Sequence, residues 1–458
     1  MATVTTISPI DGSTLQTYEA ADWAVIDAVL DRAVTAQQRW ASRPVGDRTE
    51  LLRAVAGILR GDRERHAALI TAEMGKPITE SLAEVDKCAR NCDVVAEEAP
   101  GWLADRELAS DARRSWVAAE PLGVVFAVMP WNYPFWQVIR FACAALVAGN
   151  AGVLKHSPNV TGCALALADV FAKAGAPDAL FQTVVIAEAD VPEVVPRIIA
   201  DDRVAAVTLT GSERAGSAVG AAAGKALKKS LLELGGSDPF VVLADADLDH
   251  TVAQAVRSRF GNGGQSCIAA KRFVVVDEIA DEFVARLSPA VARLRLGDPA
   301  DPDTQVGPMA RPDLLAALHA QVQASVREGA ELVTGGKSVG TYYLPTILDR
   351  VTPNMTAATE ETFGPVAAIL RARDDDQAVE MANATAYGLG CSVWGEPAHA
   401  LAVGRRIRSG ALFVNAMVAS DPRLPFGGIR RSGHGRELAA DGVREFTNQR
   451  TVYVGGVR

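Results

Sequence analysis

Three observations predict an α/β fold built from two parallel-sheet units. From residue 122 onward, apolar runs of strand length alternate with helical segments. Those runs are nearly continuous in apolar character, as in sheets covered on both faces, and do not alternate as half-exposed strands do. A glycine pair, Gly235-Gly236, closes the first series, and a second alternation follows it.

Residues 1–100 read as helices. Trp23, Ile26, Leu30, Val34 and Trp40 recur at helical spacing, and Leu51, Leu52, Val55, Ile58 and Leu59 continue the pattern. Cys88 and Cys92 fall on one apolar helix face with Leu82, Val85 and Val95, and are read as core. The polar segment 111–114 precedes Ser115-Trp116-Val117, a short strand that need not join the sheet that follows. Strands over 122–129, 152–155, 182–186, 204–210 and 230–234 then alternate with helices over 135–147, 160–173, 191–200 and 213–223. Beyond the glycine pair, strands are predicted over 240–243, 273–276, 366–370 and 412–415. Helices are predicted over 249–260, 280–295 and 311–328. The chain closes on Arg450-Thr451-Val452-Tyr453-Val454, a late strand that can pair elsewhere or across a subunit boundary.

The chain has 458 residues, 49% of them hydrophobic and 22% charged, which is the composition of a soluble globular protein with more than one core. A net charge of −9 gives no basic field for nucleic acid or an anionic membrane. The opening Met1-Ala2-Thr3-Val4-Thr5 has neither a basic region nor an apolar segment behind it, so no signal peptide is expected. No apolar run is long enough to span a bilayer. The six cysteines are scattered and the six histidines form no cluster, which argues against a disulfide scaffold and a zinc site. A reducing cytoplasm is the expected location.

Chemistry points to Cys267, in the glycine-rich turn Asn262-Gly263-Gly264-Gln265-Ser266-Cys267. A thiolate attacks carbonyl carbon, and a carboxylate can later activate water to release an acyl group. Glu233, at the end of the apolar run before Gly235-Gly236, is the candidate carboxylate. Pro130-Trp131-Asn132-Tyr133-Pro134 is a proline-bounded turn after a parallel strand, where it can hold an Asn amide toward a developing oxyanion. Thr210-Gly211-Ser212 opens a helix whose free N–H groups suit a phosphate. Lys155 ends a strand on the same side. These residues leave two classes open: a carbonyl oxidoreductase, and a redox-independent thiol hydrolase.

Together the motifs resemble the NAD(P)-dependent aldehyde dehydrogenase superfamily almost end to end. The resemblance is carried by Pro130-Trp131-Asn132-Tyr133-Pro134, Leu154-Lys155, Leu209-Thr210-Gly211-Ser212 and Leu232-Glu233-Leu234-Gly235-Gly236. It continues through Gly264-Gln265-Ser266-Cys267, Glu360-Glu361-Thr362-Phe363-Gly364-Pro365 and Pro425-Phe426-Gly427-Gly428. Leu154-Lys155-His156-Ser157-Pro158-Asn159-Val160, Leu234-Gly235-Gly236-Ser237-Asp238-Pro239-Phe240 and Ile268-Ala269-Ala270-Lys271-Arg272-Phe273 look most like a bacterial succinate-semialdehyde dehydrogenase branch.

The resemblance implies a Rossmann-like NAD(P)-binding domain over 1–110 and 123–234. It implies a catalytic α/β domain over 235–434 and a small β oligomerisation flap from 111–122 and 435–458. It implies a flap strand paired across a subunit boundary, in a homodimer or homotetramer. It further implies that Cys267 forms a thiohemiacetal and then a thioester, that Asn132 stabilises the oxyanion, and that Glu233 activates the hydrolytic water. Lys155 would face the adenosine ribose, Gly211 and Ser212 the pyrophosphate, Glu361 and Phe363 the nicotinamide ribose, and Trp131 the cofactor channel.

Departures from the family pattern sharpen the expectations. Pro158 stands where many NAD-preferring members carry an acid that would repel a 2′-phosphate. NADP is therefore the favoured cofactor, with Lys155 and Ser157 as its contacts, and NAD remains usable. Arg140 matches an arginine that some relatives use for the substrate carboxylate, but the companion arginine of those enzymes is replaced by Gly261. Ser420 and Phe426 are the other residues expected at the substrate. Ala269 stands where some members place a second cysteine, so no adjacent disulfide switch is expected.

Overall fold

The computed structural model describes residues 2–456. Its first sheet has six strands in the order Gly433–His434, Lys229–Glu233, Val204–Thr210, Val124–Met129, Ala151–His156 and Phe181–Thr183. The last five run parallel, and Gly433–His434 adds antiparallel to Lys229–Glu233. Parallel neighbours need crossovers, and the helices Trp136–Val147, Thr161–Lys173, Val191–Ala200 and Glu213–Lys225 lie between successive strands in the chain. Val124, Phe126, Val153, Leu154, Val207 and Leu209 are thereby buried. The helix Trp136–Val147 is buried along its whole length, because Val45–Gly61 and Ile78–Trp102 pack over it. Ala151–His156 and Val204–Thr210 flank Val124–Met129 on opposite sides. The crevice beyond Met129 therefore sits where the strand order reverses, the usual place for a ligand in such sheets.

Between Glu233 and Pro239 the chain leaves this sheet and starts a second. That sheet has seven strands in the order Glu331–Thr334, Thr346–Asp349, Val366–Ala372, Arg272–Val276, Pro239–Val242, Gly390–Trp394 and Ala411–Val414. All pairs are parallel except the first. Its two faces carry separate apolar cores, one around Val241, Val274 and Leu370, the other around Phe240, Phe273 and Trp394.

The structure differs from the sequence expectation in several places: Glu331–Thr334 and Thr346–Asp349 join the second sheet unforeseen, and four further differences follow. A β-hairpin, Thr3–Ile7 with Thr14–Glu19, opens the chain where only helices were expected. Its strands are mostly exposed and rich in threonine, so they give little apolar signal. Gly390–Trp394 lies inside the second sheet yet was not foreseen, because Gly-Cys-Ser-Val-Trp lacks an aliphatic run. The strand expected over 182–186 is only Phe181–Thr183, at a sheet edge.

The fourth difference is the C-terminal strand. Thr447–Val454 pairs antiparallel with Arg114–Pro121 of the same chain, from Thr447 opposite Pro121 to Val454 opposite Arg114. The cross-subunit pairing expected for it is made internally. Arg106–Glu107 is the third strand of this small sheet, and Gly435–Phe446 carries a short helix, Ala439–Glu445, before the strand begins. Asn150 explains the register: its amide donates to the Phe446 carbonyl at 2.8 Å and accepts from the Leu122 and Gly123 N–H groups at 2.7 and 2.9 Å. One buried side chain thus ties down the end of Arg114–Pro121 and the start of Thr447–Val454. Among the described residues, no helix is long and apolar enough to cross a membrane.

Candidate active site

The Cys267 turn is built by left-handed backbone. Asn262, Gly263 and Gly264 have φ of 54°, 59° and 71° in succession, a conformation that glycine tolerates freely and asparagine better than most residues. Gly264 has a second reason: a Cβ there would collide with the Gly364 carbonyl. The Lys271 ammonium then fixes the far side of the turn. It donates to the Cys267 carbonyl at 2.7 Å and the Ser266 carbonyl at 2.9 Å, and pairs with Glu361 at 3.2 Å. Gly236 packs against the same carbonyl so closely that a Cβ would lie 2.8 Å from the oxygen. At Gly235 a Cβ would collide with the Glu361 carboxylate, whose Oε1 accepts from Gly236 N–H at 3.1 Å. The glycine pair is therefore required by two close approaches.

Asn132 joins this turn directly. Its Nδ2 donates to the Gln265 carbonyl at 3.0 Å, and its Oδ1 accepts from Gln137 at 3.1 Å. Asn262 donates to the Asn132 carbonyl at 3.0 Å. The amide is thus oriented with one Nδ2 hydrogen engaged and the other available to an oxyanion.

Both turns rest on the helix Ile78–Trp102. Glu84 Oε1 accepts from Phe135 N–H at 2.8 Å and Trp136 N–H at 2.9 Å, so a carboxylate from another helix satisfies the open end of Trp136–Val147. Glu84 is itself ion-paired with buried Lys76, and the Lys76 ammonium lies 3.7 Å from the Tyr133 ring centroid. Glu80 accepts from Asn262 N–H at 2.7 Å. None of these charged residues was singled out in the sequence, because a buried ion pair leaves no spacing signature.

Glu233 ends its strand 2% exposed, and neither carboxylate oxygen has a hydrogen-bond partner among the described residues. A Cβ on Gly427 would lie 2.7 Å from Glu233 Oε1, so the glycine of Pro425-Phe426-Gly427-Gly428 makes the room the carboxylate occupies. Burial, and then the Glu437 carboxylate, push Glu233 well above its ordinary range, against the pull of Arg140 and Arg436. Glu437 is a second residue that the sequence did not reveal. It reaches the site because Phe426 and Glu437 exchange backbone hydrogen bonds at 2.7 Å each way.

Burial also pushes the Cys267 thiol up to about 12, with Lys271 and then Arg140 pulling it back. At neutral pH the free chain therefore holds a thiol and not a thiolate. Iodoacetamide labelling at Cys267, followed by mass spectrometry, should accelerate about tenfold per pH unit between roughly pH 7 and 9. A rate flat across that range would show that the sulfur is already ionised.

A model of the aldehyde dehydrogenase family matches residues 2–452. The chain belongs to the aldehyde dehydrogenase family. It is 47% identical, over 98% of its length and 99% of the relative's, to a probable NADP+ succinate-semialdehyde dehydrogenase of Synechocystis. It is 46% identical to NADP+ succinate-semialdehyde dehydrogenase 1 of Mycobacterium bovis, over 98% of this chain and 99% of that one. Among solved structures, succinic semialdehyde dehydrogenase of Streptococcus pyogenes, crystallised with NADP+, superposes with a TM-score of 0.96 at 36% identity. That match covers 99% of this chain and 100% of that one.

In this aldehyde dehydrogenase most of the expected cofactor residues line the C-terminal edge of the first sheet, and Glu361 and Phe363 come from the segment before Val366–Ala372. Lys155 lies next to the end of Ala151–His156 and Ser157 directly follows that strand, and both are buried. Burial pushes Lys155 down to about 8, and exposed Glu188 is the charged group that opposes this. Trp131 and Phe363 meet edge to face, with ring centroids 5.8 Å apart. Ser212 caps the helix Glu213–Lys225 by accepting from Ala215 N–H at 3.3 Å. Gly211 departs from expectation: its N–H is not free for a phosphate, because it donates to the Glu233 carbonyl at 2.9 Å.

Arg140 departs further. It is buried and ion-paired with Glu437, lies 5.2 Å from the Phe426 ring centroid, and donates to Thr210 Oγ1 at 3.3 Å. Its charge is shared with Glu437, while its Nε has no hydrogen-bond partner among the described residues. Ser420 is buried and accepts from Lys87 Nζ at 2.7 Å. Lys87 was likewise not foreseen.

Proposed function

We propose that this chain oxidises succinate semialdehyde, or a closely similar semialdehyde, to the carboxylate, with NADP+ favoured and NAD+ usable. The observation that carries the reading is the unpartnered, buried Glu233 carboxylate, in the same segment as the Gly236 that packs on the Cys267 carbonyl, with the Asn132 amide oriented on the Cys267 turn.

The residues present fit the cofactor. Lys155 is a buried ammonium with no carboxylate in ion-pairing range among the described residues, beside a serine hydroxyl and with proline at 158. Lys155 and Ser157 would hold the 2′-phosphate, Ser212 and the first turn of its helix the pyrophosphate, and Glu361 with Phe363 the nicotinamide ribose. Trp131 would wall the channel. When bound, NADP+ accepts the hydride that leaves the substrate carbon. Cys267 sulfur adds to the aldehyde carbon and gives up its proton, while the free Asn132 hydrogen and the Cys267 N–H stabilise the oxyanion. Loss of the hydride leaves a thioester on Cys267. Glu233 takes a proton from water as that water attacks the thioester, which releases the acid and restores the thiol.

A redox-independent thiol hydrolase is the alternative from another class, and dependence of turnover on NADP+ separates the two. Glu233 also weighs against transfer of the acyl group to coenzyme A. A homodimer or homotetramer belongs to the same reading, supported by exposed Tyr453 and Val454 on the small sheet and Leu108 beside it, and a cytoplasmic location is part of that reading.

Initial rates test the reading. Succinate semialdehyde, glutarate semialdehyde and butanal are compared with each cofactor. The highest kcat/KM is expected for succinate semialdehyde with NADP+. A carboxylate preference of only a few-fold overturns the substrate, and NAD+ exceeding NADP+ by about tenfold overturns the cofactor.

A further inference from the structure

Three charged residues around Arg140 and the Ser420–Phe426 loop have opposite-charge partners. Arg140 is paired with Glu437, Lys76 with Glu84, and Asp421 with Arg423 at 2.6 Å. Lys87 differs. It projects from the helix Ile78–Trp102, is partly buried, and has no carboxylate within ion-pairing distance among the described residues. Its ammonium has two close polar or π partners: the Ser420 hydroxyl at 2.7 Å and the Trp136 ring, whose centroid is 4.2 Å away. Neither neutralises it. Burial, and then Arg140, push it down to about 8, with Cys88, Glu84 and Asp421 pulling it back up. A desolvated ammonium held this way is a site prepared for an anion.

Its place fits a substrate tail. Ser420 and Phe426 lie on one loop, and Phe426 packs against Arg140, which is close enough to Cys267 to act on its thiol electrostatically. Trp136 starts the helix that follows the Asn132 turn. Lys87 therefore shares its surroundings with the reacting residues while contacting none of them.

We propose that Lys87, with the Ser420 hydroxyl as second donor, binds the distal carboxylate of the aldehyde substrate, beside an Arg140 whose charge is already shared with Glu437. This rests on the reading of the chain as a semialdehyde dehydrogenase.

The test compares succinate semialdehyde with butanal, a neutral aldehyde of the same length, in the parent chain, Lys87→Met and Lys87→Arg. Methionine keeps the packing over Trp136 and removes the charge. In Lys87→Met, the ratio of kcat/KM for succinate semialdehyde over butanal should fall roughly ten- to a hundredfold, as expected for one lost charged hydrogen bond. The fall should appear in KM for the semialdehyde, and Lys87→Arg should restore most of it. If the parent strongly prefers the semialdehyde and Lys87→Met keeps that preference, Lys87 has no such role. If both aldehydes weaken by the same factor, the residue is only structural and the proposal is overturned. If the parent itself shows no carboxylate preference, the semialdehyde reading fails and the Lys87 site falls with it.

Discussion

Cys267→Ala should lose aldehyde oxidation by roughly 10⁴-fold or more in kcat, because no other group can form the acyl intermediate. The five other cysteines are buried in cores and cannot substitute. The substitution removes only a sulfur from a turn whose shape depends on the left-handed backbone of Asn262, Gly263 and Gly264 and on Lys271. The variant should therefore fold and still bind NADP+, which fluorescence titration of the dinucleotide can check. Rates are followed by absorbance of the reduced cofactor. Oxidation surviving in this variant at a tenth of the parent rate would remove Cys267 as nucleophile.

Glu233→Gln should separate the two halves of the reaction. Attack and hydride loss need no carboxylate at Glu233, whereas hydrolysis of the thioester does. The expected result is a rapid burst of about one reduced cofactor per subunit, then turnover slowed by roughly 10²- to 10⁴-fold. Loss of the burst along with turnover would place Glu233 before the thioester. The same substitution makes a stability prediction of definite sign. Burial and Glu437 raise the carboxyl above its ordinary 4.5. An acid raised on folding stabilises the fold fully only below its unfolded pKa, and that contribution is lost as pH rises through the folded value. Glutamine does not titrate, so the Tm of Glu233→Gln relative to the parent should increase as pH is raised from about 4.5 toward neutrality. A constant difference across that range would mean the folded carboxyl is not raised.

Arg140→Ala, the obvious test of a carboxylate-binding arginine, would read poorly here. It strands Glu437 as a buried charge beside Glu233, a loss of roughly 3–5 kcal/mol for such pairs. A rise in KM from that variant would report disorder around Glu233 as readily as a lost substrate contact. Lys87 carries no ion pair and can be changed without that consequence.

Legibility followed the kind of signal each residue leaves. Cys267, Glu233 and Asn132 stand in short motifs whose glycines and prolines record local backbone demands. The structure supplies the reason for each: left-handed φ at Gly263 and Gly264, and close approaches at Gly235, Gly236 and Gly427. The strands of the first sheet were legible because a parallel sheet buried on both faces needs near-continuous apolar runs. Gly390–Trp394 was not, since its burial comes from neighbours on both sides and not from its own composition.

By itself the sequence determined the α/β class and the family resemblance, and it singled out a candidate nucleophile with two candidate helpers, because those depend on local chemistry at fixed spacing. Tertiary structure alone decided which cation is spoken for. Arg140 and Glu437 lie far apart in the chain, as do Lys87 and Ser420. A charge becomes free or committed only when folding removes it from water and sets a partner beside it, so no local pattern could have told Arg140 from Lys87.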